Sequence, residues 1–351
     1  MGKNIVVFSD GTSQEGGLIR NTNVYKLFNM VEDRTENQIT FYDKGLGTGR
    51  RKNSGAIFGR GMSKNILDCY WFIFDNYNAG DHVYLFGFSR GAATVRSLSG
   101  FIDQFGILPR SRPELIKRAY KIYQIPNHAR RDRKSKESHL LNHAMWCKIK
   151  FLGVWDTVAA LGSPIKWLDV LIDRIPKFRH RFHDFTLSPG VEHGRQALAI
   201  DDERLTFHPI IWNKKPNADQ TIKQVWFCGM HSDVGGSYED IGLSSIPLIW
   251  MVTEAKKEGL LIWPGNKVPI SPKATGKLHS SRTGFPGVIY RRSERFWNHP
   301  TEANPTVHES VEMRKDNKDS EDIPKYDPWI LQGAHGVEFW PAALQGINHL
   351  R

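Results

Sequence analysis

The run Gly87-Phe88-Ser89-Arg90-Gly91 sets a serine between two glycines, directly after an apolar stretch and directly before Ala92-Ala93-Thr94-Val95. A serine hydroxyl becomes usable as a nucleophile when a sharp strand-to-helix turn projects it away from the backbone. Such a turn leaves no space for side chains at its flanks, which Gly87 and Gly91 satisfy. Ser89 is therefore the expected nucleophile. The start of the following helix favours developing negative charge, and the backbone N–H of Arg90 is an expected oxyanion-hole donor. The hydroxyl also needs a base. Asp156 ends the apolar run 151–155, and His231 follows the run 225–230. In the order Ser, Asp, His these residues supply an imidazole that takes the proton and a carboxylate that holds its tautomer.

Other residues compete for each role. The chain has 14 histidines. His308, His208 and His335 stand behind His231. Asp201, Asp202 and Asp233 stand behind Asp156. The early turn Ser9-Asp10-Gly11-Thr12 offers backbone N–H groups at Gly11 or Thr12 as a second oxyanion donor. It can equally be a plain turn in which Asp10 bonds nearby backbone. Asp10, Asp156, His231 and Asp233 are also hard-metal ligand types, so a metal-dependent phosphoesterase is a rival reading. That rival leaves the serine turn unexplained, and neither a metal nor a cofactor is expected.

These residues need a scaffold that brings distant turns together. Continuous apolar runs at 5–8, 39–42, 82–86, 149–155 and 224–228 read as strands buried on both faces. Helical patterns at 23–31, 63–77 and 92–105 alternate with them. Alternation of this kind predicts an α/β fold with a doubly wound, mostly parallel sheet, whose functional residues gather at the carboxyl ends of the strands. Residues 1–351 are expected to form one such domain. Residues 127–138 read as a basic insertion. Residues 164–185, apolar and then basic, read as a candidate lid or as a helix packed on the sheet. From Pro264 onward the sequence predicts loops, short helices and an edge or cap region.

Composition narrows the class further. A chain of 351 residues with 40% hydrophobic and 24% charged residues can bury a core without cross-links. Three widely spaced cysteines argue against a disulfide framework and against a Cys-x-x-Cys zinc or redox site. No signal peptide or membrane-spanning run is evident, so a cytoplasmic location is expected, with export by a specialised secretion system compatible. The formal net charge of +11 attracts any anionic partner. Peripheral contact with an anionic membrane fits it, and no specific nucleic acid is expected.

The motifs also have a known counterpart. Val7-Phe8-Ser9-Asp10-Gly11-Thr12, Tyr42-Asp43-Lys44-Gly45-Leu46-Gly47-Thr48-Gly49, Gly87-Phe88-Ser89-Arg90-Gly91-Ala92, Val154-Trp155-Asp156-Thr157-Val158, Ala199-Ile200-Asp201-Asp202-Glu203-Arg204 and Gly229-Met230-His231-Ser232-Asp233-Val234-Gly235-Gly236 stand in one order. Together they resemble the catalytic domain of the type VI secretion phospholipase effectors and the wider group of α/β-hydrolase proteins that share it. The resemblance implies an α/β-hydrolase fold, a triad of Ser89, Asp156 and His231, and phospholipase A-type hydrolysis of a lipid ester. A carboxylesterase or thioesterase acting on small substrates is the nearest alternative.

Overall fold

The structure, a computed structural model, describes residues 2–11, 17, 20–45, 55–125, 145–158, 186–213, 216–281, 292–317 and 325–340. The basic insertion at 127–138, the candidate lid at 164–185 and Thr12 lie outside the described residues. In chain order the elements are β1 (Asn4–Ser9), α1 (Asn23–Met30), β2 (Gln38–Asp43), α2 (Gly55–Asn76), β3 (His82–Phe88), α3 (Arg90–Phe105) and α4 (Glu114–Tyr123). Then follow β4 (Ile149–Trp155), β5 (Val191–Ala199), β6 (Thr221–Phe227), α5 (His231–Gly235), α6 (Gly242–Lys257), β7 (Thr306–His308), α7 (Glu309–Asp316) and β8 (Gly336–Glu338). The eight strands form one sheet in the order β2-β1-β3-β4-β5-β6-β7-β8. Every pair is parallel, so all strands end at one edge. The α/β class read from the alternating pattern is the observed one.

Side-chain alternation along the strands builds a core on each face of the sheet. Ile5, Val7, Val83 and Leu85 join residues of α2, α3 and α4 in one apolar cluster. Val6, Phe8, Tyr84, Phe86, Phe151 and Trp155 join α1 and α6 in the other. Both faces are covered, which is why these strands read as unbroken apolar runs.

Some elements are less visible in the sequence. In β5, Glu192, His193, Arg195 and Gln196 interrupt the apolar pattern, yet the strand lies in the middle of the sheet. Its polar side chains are matched by partners: Arg195 Nε donates to Glu254 of α6 at 2.7 Å, and Gln196 Nε2 donates to the Ile210 carbonyl at 3.0 Å. The region after Pro264 holds α7 and contributes the short strands β7 and β8, of which β8 is the edge strand. Among the described residues no helix is long and apolar enough to cross a membrane. All three cysteines are buried and free.

Register sets which chain positions meet at the carboxyl edge of the sheet. Phe88 pairs with Trp155, and Trp155 with Ala197. The residues one step beyond, Ser89 and Asp156, therefore leave neighbouring strands at the same level. Trp155, fully buried beneath this edge, faces Phe86 and donates from Nε1 to the Pro247 carbonyl at 3.4 Å. Trp155→Ala is expected to lower stability by about 3–5 kcal/mol, the range for removing a large buried aromatic, read as a reduced urea midpoint with unchanged slope.

Candidate active site

Ser89 occupies the turn between β3 and α3 with φ 57° and ψ −119°, a backbone conformation costly for any residue with a side chain. It is the N-cap of α3, but its hydroxyl makes no capping bond. The usual use of a serine at that position is thus withheld, and the hydroxyl remains available for chemistry. The flanking glycines are required by contact. A Cβ on Gly91 would stand 2.0 Å from the Ser9 carbonyl oxygen, and one on Gly87 would stand 2.6 Å from that of Gly91. The first N–H groups of an α-helix have no acceptor within the helix.

Asp156 also has a positive φ, 39°, and is fully buried. Its Oδ2 accepts from His231 Nδ1 at 2.6 Å. Its Oδ1 accepts from the Ala199 N–H at 3.1 Å. Both oxygens also accept from a buried guanidinium: Arg295 Nη1 reaches Oδ1 at 2.6 Å and Nη2 reaches Oδ2 at 2.8 Å. Burial alone would push this carboxyl up. Arg295 and His231 overrule it and hold the group well below the usual carboxylate range. Its contribution to stability is therefore in force above the unfolded-chain carboxylate value and is lost as pH falls through the depressed native value.

His231 opens α5, and two aromatic rings contact its imidazole. Phe88 packs at 4.6 Å between ring centroids, and Phe207 meets it edge-on at 5.2 Å. With Nδ1 committed to Asp156, Nε2 is the nitrogen left for an incoming proton. Ser89 is 8% and His231 5% exposed, so both side chains are largely shielded from water. Among the described residues the Ser89 hydroxyl makes no hydrogen bond to the imidazole. Catalytic bonds of this kind commonly tighten only with substrate in place.

The second-rank acids serve the turn that carries His231. Asp202 Oδ2 accepts from the His231 N–H at 3.3 Å, and Asp201 Oδ2 from the Gly229 N–H at 2.6 Å. Asp233 Oδ2 accepts from the Met230 N–H at 3.1 Å, while its Oδ1 pairs with His279 Nδ1 at 2.6 Å. Asp202 also pairs with Arg204 at 2.6 Å. The remaining histidines stand elsewhere. His308 caps α7 from a fully buried position beside Phe227 and Trp340, where burial pushes its imidazole down to about 3. His208 bonds the Ser293 carbonyl, and His335 bonds the Gly333 carbonyl and Glu312.

At the end of β1, Asp10 Oδ1 accepts from the Gly11 N–H at 2.6 Å, and Oδ2 accepts from Thr22 Oγ1 and Tyr42 Oη, each at 2.6 Å. The Gly11 N–H considered as an oxyanion donor is thus committed to Asp10 in this structure. Asp10, Asp156, His231 and Asp233, the hard-ligand types of the rival reading, are each engaged by separate partners; only Asp156 and His231 pair with each other. The residue that sequence reasoning missed is Arg295. It lies in the charged stretch Arg291-Arg292-Ser293-Glu294-Arg295, which resembles a solvated surface and carries no local signal of burial.

Residues 3–254 match the family described as "T6SS, Phospholipase effector Tle1-like, catalytic domain". A search of curated proteins finds the uncharacterized protein YEL023C of Saccharomyces cerevisiae, 29% identical over 240 residues. That alignment covers 61% of this chain but 33% of the yeast protein, so the chain spans about a third of that relative. Among solved structures, an uncharacterized protein from Pseudomonas aeruginosa aligns at 16% identity and a TM-score of 0.43, covering 77% of this chain and 48% of the other. A Tle1 effector bound to the VgrG spike of a type VI secretion system aligns at 18% identity and a TM-score of 0.39, covering 69% and 52%.

Burial raises the Asp10 carboxyl to about 6, partly offset by its hydroxyl and backbone donors. A native value above the unfolded one means stability present at low pH and lost as pH rises from about 4 to 6. Asp10→Asn is expected to gain on the wild type across that interval by up to about 3 kcal/mol. Urea unfolding at several pH values measures this, and a difference that does not vary with pH contradicts the assignment.

Proposed function

The chain belongs to the family of Tle1-like phospholipase effector catalytic domains, and from that premise we propose that it is a serine esterase cleaving the acyl ester bonds of phospholipids in phospholipase A fashion. The observation that carries this reading is the pairing of His231 with a buried Asp156 at the sheet edge where Ser89 sits in a strained turn with its hydroxyl uncommitted to the helix cap. No other histidine with a described side chain pairs with a fully buried aspartate at that edge.

In the proposed reaction Ser89 Oγ attacks the ester carbonyl carbon while His231 Nε2 takes its proton. The N–H of Arg90 faces the developing oxyanion, aided by the helix start. Collapse of the tetrahedral intermediate breaks the bond to the glycerol oxygen, which leaves with the proton from the imidazolium. Water then attacks the acyl-enzyme, gives one proton to His231 and releases the fatty acid. The imidazole returns that proton to Ser89. The Asp10 turn shapes the wall beside the nucleophile, since the Ser9 and Asp10 carbonyls abut Gly91. The net charge of +11 supports approach to anionic headgroups.

Ser89→Ala is expected to lower kcat by ~10⁶ and Asp156→Asn by ~10⁴. Vesicles of mixed phospholipids should yield lysophospholipid and free fatty acid in preference to cleavage of a short-chain nitrophenyl ester. Release of phosphate or headgroup would contradict ester cleavage. Turnover of the small ester alone would make the protein a carboxylesterase.

A further inference from the structure

Arg295 is a charged side chain in direct contact with Asp156 that the reaction above does not use. We propose that it is a positioning residue: its guanidinium fork fixes the plane of the Asp156 carboxylate and offsets its charge, so that His231 is held in line for Ser89. This rests on the Ser89–His231–Asp156 reading and adds to it.

The geometry is saturated. A carboxylate offers about four acceptor directions. Here two are taken by Arg295, one by the Ala199 N–H and one by His231 Nδ1. The planar fork allows the carboxylate little rotation, because each of its two arms grips one oxygen. The same two nitrogens reach further. Nη1 donates to the Ala199 carbonyl at 2.6 Å, and Nη2 donates to the Phe207 carbonyl at 2.6 Å. Arg295 therefore ties the end of β4 to the end of β5 and to the turn that carries Phe207. Phe207 is itself one of the two rings against the imidazole. One group thus contacts both the carboxylate bonded to His231 and the backbone of the residue whose ring packs on it.

The charge balance has a consequence of its own. A lone buried carboxylate would strongly favour the imidazolium form of its partner. Arg295 makes the Asp156 side close to neutral. The other charged groups acting on the pair or on Arg295 are Asp202, itself paired with Arg204, and the buried Asp201. Removing Arg295 would therefore leave the buried Asp156 charge unbalanced beside the imidazole. A purely structural Arg295 would satisfy a buried acid and do nothing to the pH dependence of turnover.

The full chain carrying Arg295→Lys, Arg295→Met, Asp156→Asn, or Asp156→Asn with Arg295→Met, is assayed for kcat/KM across pH, with folding checked by circular dichroism. Arg295→Lys keeps charge and loses the fork: kcat is expected to fall about 10²-fold, the scale for a misplaced catalytic group, with the acid limb of the profile unmoved. Arg295→Met should also move that limb to higher pH by about one unit. Adding Arg295→Met to Asp156→Asn should cost little beyond Asp156→Asn alone. If Arg295→Met fails to fold, Arg295→Lys and the double variant, which buries no unpaired charge, still decide. Wild-type rates in Arg295→Lys, or additive losses in the double variant, overturn the proposal. Activity surviving Ser89→Ala would instead overturn the serine reading. A dead Ser89→Ala with unaffected Arg295 variants would overturn this inference alone.

Discussion

The carboxylate of Asp156 is where the separate parts of this molecule converge. It is fully buried, sits at a positive φ and joins an imidazole to a guanidinium. A buried charge of this kind is costly unless every acceptor direction is matched. Meeting that demand draws in the end of β5 through Ala199, the helix start at His231 and a residue 139 positions downstream. The distant partner is held because leaving the acid unpaired would be worse than ordering the loop that brings Arg295 in.

A parallel sheet makes this convergence achievable. All strands end at one edge, so turns far apart in the chain become neighbours. Matching register places Ser89 and Asp156 at one level on adjacent strands, with β5 and then β6 bringing His231 alongside. The turn before His231 is held by three acids, Asp201, Asp202 and Asp233, that bond successive backbone N–H groups. Its aspartates act as scaffold for the histidine, although their residue type suits catalysis equally well.

Legibility in the sequence followed the physical character of each part. Ser89, Asp156 and His231 each follow an apolar run, and strand ends are where an α/β sheet collects function. The two glycines around Ser89 have a steric cause that can be read directly from the motif. β5 was hidden because Arg195 and Gln196 look exposed until Glu254 and the Ile210 carbonyl are seen to meet them. Arg295 was hidden for a related reason. Its burial depends on a partner more than a hundred residues away, and nothing within its own charged stretch distinguishes it from Arg292, which is 61% exposed. Pairings across long sequence separations leave no local periodicity to read.

The most direct measurement of the central claim, a strained serine served by an aligned imidazole, is covalent. The protein would be treated with a fluorophosphonate, which phosphonylates a serine only when its hydroxyl is activated, and the adduct mapped by peptide mass spectrometry. The account predicts a single adduct on the peptide bearing Ser89, formed in the wild type and absent when His231 is replaced by Ala. No adduct on a folded protein, or an adduct on a different residue, would contradict it.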